Sequence, residues 1–342
     1  MNGYERIMRA LAGKETDRVP TMLHCFMAAA EQLGYTMQDY RNDPVKIANS
    51  HIAFAEKYEL DGILVDIDTC IEASVIGVPV DYPVHEPARS TGALSLDMDV
   101  LLKAMDPQKL MSSPRVEILL ESIRQLKTRV GNQLAIRGNC DQSGFSLAML
   151  AYGMNDFMAD LLDEDLEDDI IQLIDKANLV HLKLHSLMRE AGADITSFGD
   201  SSAGPDLISR ELYLRFAKPS HKQIAEDAKK SGVPVICHIC GNLDLILEDV
   251  LDVGFTALEV DYKTNVPRLA TLSKQYKTPI FGIIDPSGMF YYGTPEKMEI
   301  ETKRVLDAFE GKGIVIGAGC ALPEKTPDEN IRAFVKTVKA YR

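Results

Sequence analysis

Eight short runs rich in β-branched and aliphatic residues recur along the chain, most of them followed by a stretch long enough for an amphipathic helix. This alternation restricts the fold to βα units around a parallel sheet. The runs are VPTMLHC (19 to 25), GILVDID (62 to 68), QLAIRGN (133 to 139), DITSFGD (194 to 200), PVICHIC (234 to 240), ALEVDY (257 to 262), PIFGIID (279 to 285) and GIVIGAGC (313 to 320). Eight such units predict an α/β fold of the (β/α)8 TIM-barrel type. At 342 residues the chain exceeds a minimal barrel of about 250 residues, yet no Ser/Gly/Pro-rich linker or shift in composition divides it, so residues 1–342 are expected to form one domain. The surplus falls in two places. Ile7, Met8 and Leu11 lie on one stripe and predict an N-terminal helical extension packed on the barrel. Residues 69 to 132 exceed a simple βα connection and predict a long insertion after strand 2 that covers the barrel or shapes its mouth.

Helix starts are punctuated. Ser113-Pro114 and Thr294-Pro295 pair a capping hydroxyl with a proline in the first turn, and the first opens a helical stripe of Val116, Leu119, Ile123, Leu126 and Val130. At 326 to 329 the same logic predicts that Thr326 caps, Pro327 enters the first turn and Glu329 completes a capping box.

Charge and cysteine usage narrow the partners. A net charge of -14 repels a phosphate backbone and excludes nucleic acid, while the acidic run DLLDEDLEDD (160 to 169) reads as a solvated helix start. The opening MNGYERIMRALAGKETDRVP has no continuous apolar stretch, so neither a signal peptide nor a membrane span is expected and the default setting is cytoplasmic. Six cysteines in such a chain are expected to be reduced thiols.

The chemistry concentrates in PVICHIC. Side chains alternate along a strand, so His238 and Cys240 share one face while Cys237 points the other way. Cys320 ends the eighth run behind Gly317 and Gly319. In a closed barrel the strand C-termini meet at the mouth, so this thiol can join the other two groups. Three such ligands suit Zn2+ in a catalytic site that keeps one position open. Two thiolates and a neutral imidazole balance the charge of the ion, which fits activation of a substrate thiol by lowering its pKa from about 8.5. No GxGxxG follows a strand, which argues against a dinucleotide-dependent dehydrogenase.

Carboxylates also end strands. Asp68, Glu72, Asp200 and Asp285 are candidates to ligate zinc, orient His238 or accept a thiol proton, with helix capping the alternative for such strand-end carboxylates, Asp285 above all. Cys25, Cys70, Cys140, His24, His181 and His185 read as buried structural groups. The pair His181 and His185 does not by itself make a second metal site.

ERIMRALAGKETDRVP, LDGILVDIDTCIEASVIG, SSAGPDLISRELY, CHICGN and PEKTPDENIRAFVKTVKAY, together with His238-x-Cys240 and Cys320, resemble the uroporphyrinogen decarboxylase superfamily. The likeness is to its zinc branch in particular, the methylcobalamin:coenzyme M methyltransferases and related corrinoid methyltransferases. The resemblance spans the chain. It implies a (β/α)8 barrel, zinc on His238, Cys240 and Cys320, and methyl transfer between a corrinoid and a thiol such as coenzyme M. The corrinoid would come from a partner protein or as free methylcobalamin. Within the segment IEA the resemblance favours Glu72 as the further site residue. Three alternatives stay open: the reverse direction, from a methyl donor to a corrinoid protein as in O-demethylases, a decarboxylase-type lyase, and a barrel whose zinc-thiolate site binds a ligand without turnover. For the lyase, Asp68 lines up with the catalytic aspartate, but residues 19 to 40 lack the arginines of the decarboxylase branch.

Overall fold

In a computed structural model that describes residues 1–140 and 142–341, seven parallel strands form one curled sheet: β1 (Gly62–Val65), β4 (Ala135–Cys140), β5 (Ile195–Gly199), β6 (Val235–Ile239), β7 (Ala257–Val260), β8 (Ile280–Ile284) and β9 (Ile314–Ala318). A separate antiparallel pair, β2 (Val80–Asp81) with β3 (Arg89–Ser90), lies in the segment between β1 and β4. The sheet runs in chain order, each strand pairing with the next through a helical crossover.

The first predicted run, 19 to 25, does not extend as a strand. It contributes one bridge, Thr21 to Ile316, yet it bonds to both edges of the sheet. Ile316 N–H donates to Pro20 O at 3.0 Å and Met22 N–H to Ile316 O at 3.3 Å, while Asp61 N–H donates to Thr21 O at 3.0 Å. The seam between β9 and β1 is therefore closed by a few residues, in a TIM-barrel-like architecture. Pro20 removes one donor, and the tight approach of Met22 O to Gly317, where a Cβ would stand 2.0 Å away, leaves little room for a regular ladder.

The helix Gly3–Leu11 follows an Asn2/Glu5 capping box and buries Ile7, Ala10 and Leu11. These side chains join Met22, Leu64, Ala135, Ile195, Ile236, Ala257, Phe281 and Val315 in an apolar cluster distinct from the larger core under the outer helices. Every second strand residue thus points inward, and the N-terminal helix plugs the barrel at the end where the strands begin. Asp61 anchors this end, taking Arg18 at 2.7 and 2.9 Å and Thr21 N–H at 2.8 Å.

Residues 69 to 132 hold the helix Ile71–Ile76, the β2–β3 pair, the helix Met98–Ala104, a 3-10 turn and the helix Pro114–Val130. Ser113 caps the last of these as its Pro114 neighbour predicts, and Thr294 caps Pro295–Ala308. The final helix departs from expectation. It begins at Asp328, and Thr326 Oγ1 donates instead to Pro323 O at 2.7 Å, so no hydroxyl caps it. Its first turn is held by Asp328, which accepts from Tyr58 and pairs with Lys57 at 2.7 Å and Arg332 at 2.6 Å. Among the described residues no helix is long and apolar enough to cross a membrane.

Candidate metal centre

Ile236 belongs to the cluster inside the barrel and Cys237 to the outer core, so His238 and, beyond the strand end, Cys240 face inward. Cys237 is fully buried and its thiol is pushed far up, by burial first and then by Asp200. Cys320 reaches the pair because β9 leans across β8. At Gly282 (φ +87°) and Ile283 (φ +91°) β8 adopts a left-handed backbone, and a Cβ on Gly282 would stand 3.0 Å from Ala318 O and 3.2 Å from Val260 O. Gly319 likewise passes where a Cβ would sit 3.0 Å from Val260 O. Glycine at both positions lets the end of β9 approach β7 directly.

The result is a compact donor set. His238 Nε2 lies 3.0 Å from Cys240 Sγ, which lies 4.0 Å from Cys320 Sγ, and all three ligand atoms fall within 4.8 Å of one another. Tetrahedral zinc with Zn–S of about 2.3 Å and Zn–N of about 2.0 Å separates its ligand atoms by roughly 3.5 Å, so these residues fit the ion. His238 Nδ1–H donates to the Glu259 carbonyl at 3.2 Å, so that when Nε2 exchanges its proton for a cation its lone pair faces the thiols. Cys240 and Cys320 are half-buried, leaving the donor set reachable from the mouth.

The three groups share protons strongly. The Cys240 thiol is held far below its ordinary value, by the Cys320 S–H and by the His238 imidazolium, while Cys320 is pushed up by Cys240 and by burial. Burial pushes His238 down, but the Cys240 thiolate beside it prevails and brings it to about 9. A cation binding here would displace those protons.

The predicted carboxylates go elsewhere. Asp68, inward at the end of β1, accepts Cys70 N–H at 2.9 Å and is paired with Arg115 from the helix Pro114–Val130. Burial raises its carboxyl above the usual range against the pull of Arg115. Asp200 accepts from Ser146 Oγ and bonds His221 Nε2 at 2.6 Å, on the outer face of the sheet. Glu72 receives Gln142 N–H at 3.4 Å and meets His181 Nδ1 at 3.3 Å. Asp285 caps Ser287 and Gly288 N–H groups, each at 2.9 Å. None of the four belongs to the His238 donor set.

The carboxylate that does stand beside the triad is Glu259, whose Oε2 is 4.0 Å from His238 Nδ1 and 2.6 Å from Arg137 Nη2. Burial pushes Glu259 up, but Arg137 and then His238 outweigh it and hold it below the ordinary range. The signal for this pair lay in the strands: Arg137 in LAIR and Glu259 in ALEV are single charges on inward positions of otherwise apolar runs, and each demands a partner. His24, read as structural, bonds Asp66 Oδ2 at 2.7 Å, and Asn139 donates to the same oxygen at 3.3 Å. Two further arginines, Arg41 and Arg115, flank the Tyr82 ring at 5.9 and 4.6 Å, so this mouth has cations that residues 19 to 40 lack.

The methylcobamide:CoM methyltransferase MtbA of Methanosarcina mazei is 28% identical, covering 99% of this chain and 98% of its own. The methylated-thiol--coenzyme M methyltransferase of the same organism is 30% identical over 99% of this chain and 89% of its own. A solved methyltransferase structure from Methanosarcina mazei shares the fold, with a TM-score of 0.86 at 22% identity over 99% of this chain and 98% of that one. The family model described as uroporphyrinogen decarboxylase (URO-D) matches residues 2–341, and the chain therefore belongs to that family.

Proposed function

We propose that this protein is a zinc-dependent methyltransferase that moves a methyl group between a corrinoid and a thiol such as coenzyme M. The class is that of its relatives, corrinoid-dependent methyltransferases of near-equal length. The single observation that carries the zinc reading is the convergence of His238 Nε2 with the Cys240 and Cys320 thiols, backed by the His238 hydrogen bond to Glu259 O. When bound, zinc lowers the pKa of a substrate thiol so that it is a thiolate at neutral pH.

The chain supplies the rest. Cys240, Cys320 and neutral His238 together carry two negative charges against the two of the ion, so the substrate sulfur keeps its electron density. With a methylated corrinoid as donor substrate, the thiol sulfur would take the methyl group as the carbon–cobalt bond breaks, the bonding pair would stay on cobalt, and the thiol proton would pass to solvent. His238 is kept from rotating by Glu259 O, and the Arg137–Glu259 pair fixes the strand wall behind it. Asp68 with Arg115, and His24 with Asp66, offer hydrogen-bonding groups near the same mouth. A corrinoid protein or free methylcobalamin is the partner in this reading, with no role for nucleic acid or membrane, and a donor set built from cysteine thiols fits a reducing, cytoplasmic setting.

The test measures zinc content and thiol-dependent loss of the methylcobalamin spectrum in the wild type and in His238→Ala and Cys320→Ala. The expected result is that each variant loses the mouth zinc and the methyl transfer together. Transfer that survives both substitutions, or zinc content indifferent to both, would overturn the reading.

A further inference from the structure

A second set of metal-type ligands lies behind the barrel wall. The helix Glu167–Glu190 carries His181 and His185 four residues apart on one buried face, and β4 ends in Cys140. Arg137 and Asn139 point into the barrel, so Cys140 points outward, toward that helix. Gly138, on the same outward face, marks how close the helix comes, since a Cβ there would stand 2.9 Å from Met188 Sδ. The ligand atoms of Cys140, His181 and His185 lie within 4.8 Å of one another, and all three residues are buried.

Each imidazole is already aimed. His181 Nδ1 is engaged by Glu72 Oε1 at 3.3 Å and His185 Nδ1 by Thr196 Oγ1 at 2.9 Å. The opposite nitrogens, His181 Nε2 and His185 Nε2, are buried without a hydrogen-bond partner. Buried imidazole nitrogens without partners are unfavourable, and two of them beside a thiol are doubly so, unless one cation takes all three. A carboxylate on the far nitrogen of a histidine is also the usual support of a metal-ligating imidazole.

We propose that Cys140, His181 and His185 form a second metal site, distinct from the His238 set, for a divalent ion of the zinc type. One thiolate and the Glu72 carboxylate balance the two positive charges of such an ion, which a dry interior requires. A monovalent ion would leave the cluster with net negative charge. The site ties the helix Glu167–Glu190, β4 and the helix Ile71–Ile76 together, and its burial makes it structural. Glu72 is then a positioning residue for this second ion. The inference does not depend on the proposed methyl transfer.

The experiment counts zinc per chain in protein purified with zinc present. Two equivalents are expected in the wild type, and one in the double variant His238→Ala, Cys320→Ala, which leaves the second cluster untouched. Replacing zinc by Co2+ in that double variant should give a near-ultraviolet sulfur-to-cobalt band that disappears on adding Cys140→Ser. A double variant that folds with no bound metal, or a cobalt band unchanged by Cys140→Ser, would overturn the proposal. Methyl transfer is read separately in His185→Gln, where the mouth ligands are intact, so failure of one site is not mistaken for failure of the other.

Discussion

Arg137 and Glu259 form a buried ion pair, 1% and 6% exposed, across the barrel interior. Replacing Arg137 by Met strands a buried carboxylate and should cost about 3–5 kcal/mol in urea denaturation, whereas Arg137→Met with Glu259→Leu should recover most of that loss. A double variant no more stable than the single would show that the pair is not the source. Asp200→Ala should lower stability by about 1–3 kcal/mol, since Ser146 and His221 lose their acceptor, and leave zinc content unchanged. Loss of zinc in Asp200→Ala would contradict its placement on the outer face. Residue identity and strand parity were enough to group His238 with Cys240 and set Cys237 aside. The same parity, applied to DITSFGD, sets Asp200 with Thr196 and Phe198 on the outer face, a reading that the general expectation of strand-end carboxylates at the mouth obscured. The position of Glu72 was not legible, because its partner His181 lies on a helix 109 residues away.

Seven of the eight strand runs could be read from hydrophobic pattern because parallel strands covered on both faces are almost continuously apolar. The remaining run, 19 to 25, is shaped by Pro20 and by its squeeze against Gly317, and pattern alone does not register either contact. The last helix shows the same limit: TPDE reads as a cap, but Asp328 is recruited by Lys57 and Tyr58, far away in sequence. Two elements yield tests. Ile7→Ala in the helix that plugs the barrel should cost about 2–5 kcal/mol, because the site is rigid on all sides and 0% exposed. Gly282→Ala must hold an alanine at φ +87° and push apart the ends of β7 and β9. Cys320 should then sit too far from His238 and Cys240, and zinc affinity at the mouth should fall by about 10–100-fold in a chelator competition. Unchanged affinity would show that β8 does not set the position of Cys320.

Across the whole molecule, acid sensitivity has a definable contributor. His51 is buried, and burial pushes it down to about 4 against an unfolded value of about 6.5. The unfolded chain therefore binds more protons between these values, so the stabilisation is complete above pH of about 6.5 and is lost as pH falls toward about 4. His51→Gln should flatten this part of the pH dependence, by roughly 3 kcal/mol between the two limits. Equal slopes in wild type and variant would remove His51 as the cause. The seam at Thr21 has a different consequence. A hoop fastened all round by ladders of bonds has no preferred place to open, but this one has a clasp made of Pro20, Thr21 and Met22. Sideways release of the clasp would part His24, two residues further on, from Asp66 and loosen this flank of the barrel. Amide exchange at Met22 and Ile316 faster than at the β5–β6 ladder would register that release, and equal protection would show the hoop to be uniform.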